Sequence, residues 1–307
     1  MIICEGNNIK KNTVYNMDAL EGLKTLPDGC VDMCVTSPPY WGLRDYGVDG
    51  QLGLEPDFNE YIDKLCTIFD EVRRVLKDEG TCWVNIGDSY NGSGKAGSNP
   101  EYQKKHTSFG KIMTEKSKFG KPVNDKRIGK KSLIGIPFRF AIEMIKRGWI
   151  LRNTIIWHKP NCMPSSVKDR FTVDFEYLFF FSKNKKYYFE QQTEPVKKVD
   201  TTRTSLNRLG NGELAGNLRF GSNGKQRNMR TVWNISTKPY KGAHFAVFPE
   251  ELIETPIKAG CPANGVVLDP FMGSGTTAMV AKQLGRNYIG FELNKEYIPL
   301  INQRLQY

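Results

Sequence analysis

Val31-Asp32-Met33-Cys34-Val35, followed at once by Thr36-Ser37-Pro38-Pro39-Tyr40-Trp41, is the stretch from which both fold and chemistry are read. A short run that is apolar at all but one position reads as a buried strand. Two prolines then remove two backbone donors and force the chain out of strand and helix alike. The strand therefore ends in a stiff loop. Outward from it, Thr13 to Met17 is another short apolar run, and Ala19, Leu20, Leu23 and Leu26 lie between the two at the spacing of one helical face. On the other side, Tyr61 to Lys77 carries Ile62, Leu65, Phe69, Val72 and Leu76 on one face, with Gly80 as its stop. Thr81 to Ile86 then reads as a further buried strand. Strands alternating with helices predict an α/β fold with a doubly wound, mostly parallel sheet, whose ligands bind at the carboxyl ends of the strands. The Ser37–Tyr40 loop leaves such an end.

A second loop of the same kind is Asp269-Pro270-Phe271-Met272-Gly273-Ser274-Gly275-Thr276-Thr277. It follows the strand Gly265–Asp269 and opens a helix predicted over Thr276–Leu284. Gly273 and Gly275 permit tight turning and close approach of backbone to a ligand, and the free N–H groups at the start of the helix suit a carboxylate or phosphate. No lysine follows the glycines, so this is not a Walker loop, and the full Gly-x-Gly-x-x-Gly fingerprint is missing too. Glu292 closes the next strand about twenty residues on, where nucleotide-binding sheets place an acid for ribose hydroxyls.

The chain has 307 residues, 39% of them hydrophobic, enough for a proper core, and 44 basic residues against 33 acidic ones give it a net charge of +11. That surplus favours a polyanionic partner. No apolar run reaches the ~20 residues of a membrane helix, and the start carries no secretory signal, so a cytoplasmic protein is expected. The seven cysteines include no Cys-x-x-Cys pair and the three histidines are far apart, which predicts reduced thiols and no metal site.

Composition divides the chain. Residues 91–131 are rich in Gly, Ser, Asn and Lys and are expected to form a basic mobile loop. Ile136–Gly148 reads as a helix, Ile150–Trp157 and Phe175–Phe181 as strands, and Tyr187–Phe189 as a hairpin partner across the Lys183–Lys186 turn. Residues 193–242 turn polar again, with Arg203, Arg208, Arg219, Arg227 and Arg230 interleaved with asparagines, Asn228 among them.

The two loops together resemble the amino-methyltransferases of DNA, in the beta-class group whose motif order is permuted: a Ser/Asp/Asn-Pro-Pro-Tyr tetrapeptide near the N-terminus and an Asp-Pro-Phe-x-Gly-Ser-Gly-Thr-Thr loop near the C-terminus. The resemblance extends to Asn16–Leu20, Trp149–Pro160, Asp174–Phe181 and His244–Pro249. It implies a Rossmann-like catalytic core over 1–90, 132–192 and 243–307 with a seven-stranded sheet, one strand antiparallel, and a target-recognition region at 193–242. It implies S-adenosyl-L-methionine as cofactor, held by Asp18, Phe248, Asp269, Pro270, Phe271, Gly273, Ser274, Gly275, Thr276 and Glu292, and catalysis by Ser37, Pro38, Pro39 and Tyr40. The implied substrate is double-stranded DNA in a prokaryotic or phage setting, with a cognate restriction endonuclease acting on the same site as a candidate partner.

The chemistry suits these residues. An exocyclic amine is a poor nucleophile because its lone pair is delocalised into the ring. Acceptors on its hydrogens, the Ser37 hydroxyl and the Pro38 carbonyl, spread the positive charge that builds during attack. The base must leave the duplex stack, and Tyr40 offers it a flat face, with Trp41 and Tyr46 as further candidates. Cytosine C5 methylation would need a nucleophilic thiol, normally in a Pro-Cys pair, and no Pro-Cys dipeptide occurs. Within the family, serine at the first tetrapeptide position goes mostly with cytosine N4 and aspartate with adenine N6. The expectation is cytosine N4, with adenine N6 open. The rivals are a non-catalytic DNA-binding protein and an RNA or protein methyltransferase on the same fold.

Overall fold

Parallel strands that are apolar on both faces must be covered by helices on both sides. In the computed structural model, which describes residues 10–92, 118–119, 125–195, 226–238 and 248–306, that is the arrangement. Along the chain, β1 (Thr13–Asn16), α1 (Ala19–Lys24), β2 (Val31–Thr36), β3 (Arg44–Asp45), α2 (Phe58–Val75) and β4 (Leu76–Ile86) come first. Then follow β5 (Lys118–Phe119), α3 (Ile136–Lys146), β6 (Ile150–His158), β7 (Phe175–Ser182), β8 (Thr193–Pro195), β9 (Gln226–Asn228) and β10 (Val232–Asn234). The last are α4 (Glu250–Gly260), β11 (Val266–Asp269), α5 (Thr276–Gln283), β12 (Asn287–Glu292) and α6 (Tyr297–Leu305).

The main sheet has the order β1-β12-β11-β2-β4-β7-β6-β10. Only β7 runs against its neighbours. Alternate side chains of each strand feed two separate cores. On one face Cys34, Cys82, Val84, Phe179 and Leu268 pack under α1, α2 and α3. On the other, Met33, Val35, Trp83, Phe180 and Val267 pack under α4, α5 and α6. Trp83 stacks on Phe180 across the β4–β7 pair, with ring centroids 4.0 Å apart. The six described cysteines are free thiols, and no described helix is long and apolar enough to cross a membrane.

Several expectations change in detail. The sheet has eight strands rather than seven, because Val232–Asn234, inside the stretch assigned to target recognition, pairs with Ile156–His158. Trp233 anchors that edge: its ring is buried, and its indole N–H donates to Arg230 O. The helix expected to run to Lys77 ends at Val75, and β4 begins at Leu76 with an irregular register opposite Val31 and Met33. Tyr187–Phe189 forms no hairpin. Its rings pack on Phe180 while Tyr188 N–H bonds to Glu79 O and Glu190 N–H to Ala259 O.

The stretch 91–131 is not one mobile loop in its described parts. Asn91, 1% exposed, donates through its amide to Asp125 O and Ile128 O and accepts from Asp125 N–H, so 125–131 wraps around it. A buried amide that satisfies its own hydrogen bonds on a neighbouring segment fixes that segment. The remainder of 91–131, apart from the backbone of β5, and most of 193–242 lie outside the described residues.

Helix α1 lies close on β12. A Cβ at Gly22 would sit 2.4 Å from the ring of Phe291, which is wholly buried. Alanine would gain about 1 kcal/mol of helix propensity, but overpacking a rigid core costs about 1–3 kcal/mol. Gly22→Ala is expected to lower Tm by about 1–3 °C in thermal melts; an unchanged or raised Tm would show that the helix can lift off the sheet freely.

Candidate active site

The chain leaves β2 toward α2 and β4 on one side, and leaves β11 toward α5 and β12 on the other. β2 and β11 are adjacent and parallel, with Val267 opposite Met33 and Leu268 opposite Cys34. This is the crevice at which open α/β sheets bind ligands. The two loops singled out in the sequence leave it side by side.

They are also bonded to each other. Thr36 Oγ1 donates to Asp269 Oδ1 at 2.5 Å, Thr277 Oγ1 donates to Asp269 Oδ2 at 2.6 Å, and Phe271 N–H donates to Oδ1 at 3.0 Å. Asp269 is 1% exposed. Burial raises its pKa to about 6, against the opposing pull of those hydrogen bonds. Expected among the cofactor residues, Asp269 spends both oxygens on shaping the loops.

The glycine loop is braced from two sides. Glu292 accepts Gly273 N–H and Asn294 N–H, each at 2.7 Å. Arg304 of α6, which no sequence signal marked, donates to Ser274 O, Ser274 Oγ and Thr276 Oγ1. Gly273 and Gly275 take positive φ values of 55° and 82°, and Gly275 caps the N-terminus of α5. A side chain at Gly275 would press on Ile301 at 3.0 Å. Asp18 caps α1 through Leu20 N–H and Glu21 N–H. It follows β1, whose Asn16 is in register with Glu292. The two acids thus stand at neighbouring strand ends. Pro270 is buried and Phe271 half-buried beside them. Of the His244–Pro249 segment only Phe248 and Pro249 are described, and Phe248 packs at the edge of the second core.

The proline loop is held with equal firmness. Tyr61 O–H donates to Pro39 O at 2.8 Å, and a Cβ at Gly53 would come within 2.8 Å of Tyr40 O. Among the described residues no donor reaches the Pro38 carbonyl, so that acceptor remains for a ligand. The Tyr40 ring lies against Gly87, where a Cβ would stand 2.7 Å from its Cε2. Its hydroxyl donates to Glu176 Oε2 at 2.7 Å, has Asn85 Oδ1 at 3.2 Å, and receives a long contact of 3.4 Å from Ser37 Oγ. Asn85 Nδ2 bridges to the same Glu176 oxygen, and Lys159 Nζ pairs with Oε1. Lys159 rests over the Trp157 ring. Burial and then the neighbouring carboxylate push the Tyr40 phenol well above its ordinary range, so it stays a donor.

The sequence reading missed Asn85, Lys159 and Glu176. The one hint was a glutamate opening an otherwise apolar strand. Trp41, a candidate for stacking on a base, belongs to the core instead: it is 4% exposed, edge-on to Phe58, and its indole N–H donates to Glu55 O. Burial holds the Tyr46 phenol above its ordinary range.

The profile of the DNA methylase family that unites N6 and N4 enzymes matches residues 31–303. The chain belongs to that family. It is 43% identical over 294 residues to the type II methyltransferase M.Cfr9I of Citrobacter freundii, covering 96% of this chain and 87% of that one. With M.SmaI of Serratia marcescens it shares 42% over 306 residues, 98% of this chain and 93% of the other. Among solved structures, the PvuII DNA methyltransferase (cytosine-N4-specific) superposes with TM-score 0.63 at 21% identity, covering 96% and 86%, a likeness of fold. A putative DNA modification methylase from Thermus thermophilus, complexed with S-adenosyl-L-methionine, superposes with TM-score 0.57 at 26% identity, covering 94% and 90%. In this DNA methylase the two loops singled out in the sequence thus leave one crevice.

Burial raises the Glu292 pKa to about 7, opposed by its two backbone bonds and assisted by the charge of Asp269. Both carboxyls therefore favour the protonated folded state. Their contribution to stability is full below the ordinary values of 3.8 and 4.5 and is lost as pH rises through about 6 and about 7. Melts of the wild type and Glu292→Gln between pH 5 and 8 should show the wild type losing more stability than the variant as pH rises; parallel curves would mean that Glu292 titrates as it does in water.

Proposed function

We propose that this DNA methylase transfers a methyl group to the exocyclic N4 of a cytosine turned out of double-stranded DNA. The observation that carries the reading is the pair of acceptors at the end of β2: the Ser37 hydroxyl and the unclaimed Pro38 carbonyl, held in place by Thr36, Pro39 and Tyr40. Serine rather than aspartate at that position favours cytosine, since a hydroxyl can donate as well as accept.

The residues at the crevice fit S-adenosyl-L-methionine. The turn at 273–275, with positive φ at both glycines, brings backbone to the edge of the crevice, the N-terminus of α5 suits a carboxylate, and Asp18 and Glu292 suit adenine and ribose donors. The cofactor supplies an activated methyl on a cationic sulfur that leaves as a neutral thioether. The protein's part is alignment and electrostatics. Ser37 Oγ and Pro38 O accept from the amine and direct its lone pair toward the cofactor loop. Tyr40, its phenol anchored on Glu176 and Asn85, presents a wall for the base. Lys159 neutralises Glu176, so the wall carries no net charge toward a neutral base. The type II names of the relatives support a place in a restriction–modification pair, with a cognate endonuclease acting on the same site.

Nucleoside mass spectrometry of DNA from cells expressing the protein should find N4-methylcytosine. N6-methyladenine instead would overturn the choice of base, and neither nucleoside, with folded protein present, would overturn the activity. Ser37→Ala should lower kcat by about a hundredfold, the scale for one preorganised polar group, with little change in cofactor Kd. Equal losses in both would make the loop a structural element only.

A further inference from the structure

The loop between β6 and β7, residues 159–174, opens on the same rim as Tyr40. Its two ends are drawn together by Lys159 N–H bonding to Asp174 O at 2.7 Å. Both ends abut the site, because Lys159 pairs with Glu176, the anchor of the Tyr40 phenol. The loop is fastened at several points. Asn161 exchanges hydrogen bonds with Thr237 N–H and O, Asp169 pairs with Lys131 at 2.6 Å, and the Arg170 guanidinium lies 3.4 Å from the centroid of the Tyr90 ring. Pro160 and Pro164 stiffen its first half.

A loop held in this way has no need to leave large apolar side chains in water. Yet Phe171 is 97% exposed and Met163 85%, the two highest values among the large hydrophobic side chains described. Val167 and Val173 in the same loop are exposed as well. Apolar surface concentrated at one rim marks a binding surface rather than scatter. Phe171 lies three residues before Asp174, so its Cα is no more than about 11 Å from that end of the loop. The flanking Lys168 is exposed and basic, suited to a phosphate.

On the reading that the enzyme acts on a base turned out of duplex DNA, we infer that Phe171 is the wedge that enters the base stack beside the target and takes the place the base vacates. An apolar ring inserted between base steps offsets the loss of stacking. The held backbone of the loop aims it: Arg170, stacked on Tyr90, fixes the direction of its neighbour. Phe171 thus makes the target available, and Ser37 and Pro38 act on it afterwards.

The test compares a fully paired duplex carrying the methylated site with the same duplex in which the target base faces an abasic position. Phe171→Ala should lower kcat/KM on the paired duplex by about thirtyfold, the order set by unstacking a base, and leave the abasic-opposed duplex within about threefold. Phe171→Leu should restore most of the loss. With 2-aminopurine at the target, wild-type protein at saturation should raise fluorescence and Phe171→Ala should not. Equal effects of Phe171→Ala on the two duplexes, or none on either, would overturn the wedge. Wild-type turnover on the paired duplex tests the methylation reading in the same assay; if it is nil, that reading falls and the wedge with it, whereas a wild-type enzyme active on the paired duplex leaves the wedge to stand or fall on Phe171→Ala alone.

Discussion

Asp269 accepts hydrogen bonds from the hydroxyls of Thr36 and Thr277 and from one backbone N–H, in a position closed to water. Thr36 immediately precedes the loop proposed to hold the target amine, and Asp269 begins the loop proposed to hold the methyl donor. A carboxyl buried so deeply is costly unless its oxygens are satisfied, and the donors that satisfy it lie on both sides of the crevice. Parting the loops would cost that carboxyl its Thr36 donor and leave it only the two donors of its own loop. One buried group thereby sets the distance between the two halves of the site, and the alignment of nucleophile and methyl depends on that distance.

Around this contact the remaining polar groups divide between the two loops. Glu292 and Arg304 brace the glycine loop through its backbone. Glu176, Asn85 and Lys159 brace Tyr40 through its hydroxyl. Each group comes from a different element, so the site exists only once β1, β2, β4, β7, β11, β12 and α6 are assembled. The Lys159–Glu176 pair joins Tyr40 to the 159–174 loop, so the surface proposed to meet the duplex and the pocket proposed to receive its base share one support.

The alternation of strands and helices and both loops were legible because they depend on local chemistry. Apolar runs of strand length, Pro38-Pro39 and the glycines of 273–275 restrict the backbone wherever they stand. What was not legible depends on partners distant in sequence. Glu176 looks like an ordinary charge at a strand start until Tyr40 is brought against it from 136 residues away. Trp41, next to the tyrosine proposed to stack on the base, looks like a second stacking surface in sequence, but the chain turns and gives its indole to the core beside Phe58. Asn91 was placed in a polar loop because its composition matched one, while its actual setting is a buried hub satisfied by residues 125–128. The extra edge strand β10 was hidden inside a stretch whose overall polarity masked Val232 and Trp233.

The coupling through Asp269 is best tested at Thr36, where valine keeps the shape and removes only the hydroxyl. Measured on folded protein, Thr36→Val is expected to weaken cofactor binding and slow methyl transfer together, each by about tenfold, the scale of one lost hydrogen bond to a charged group, while Thr36→Ser stays near the wild type. A Thr36→Val enzyme that binds the cofactor and methylates DNA at wild-type rates would contradict the account, since the two loops would then hold their spacing without the contact on which it rests.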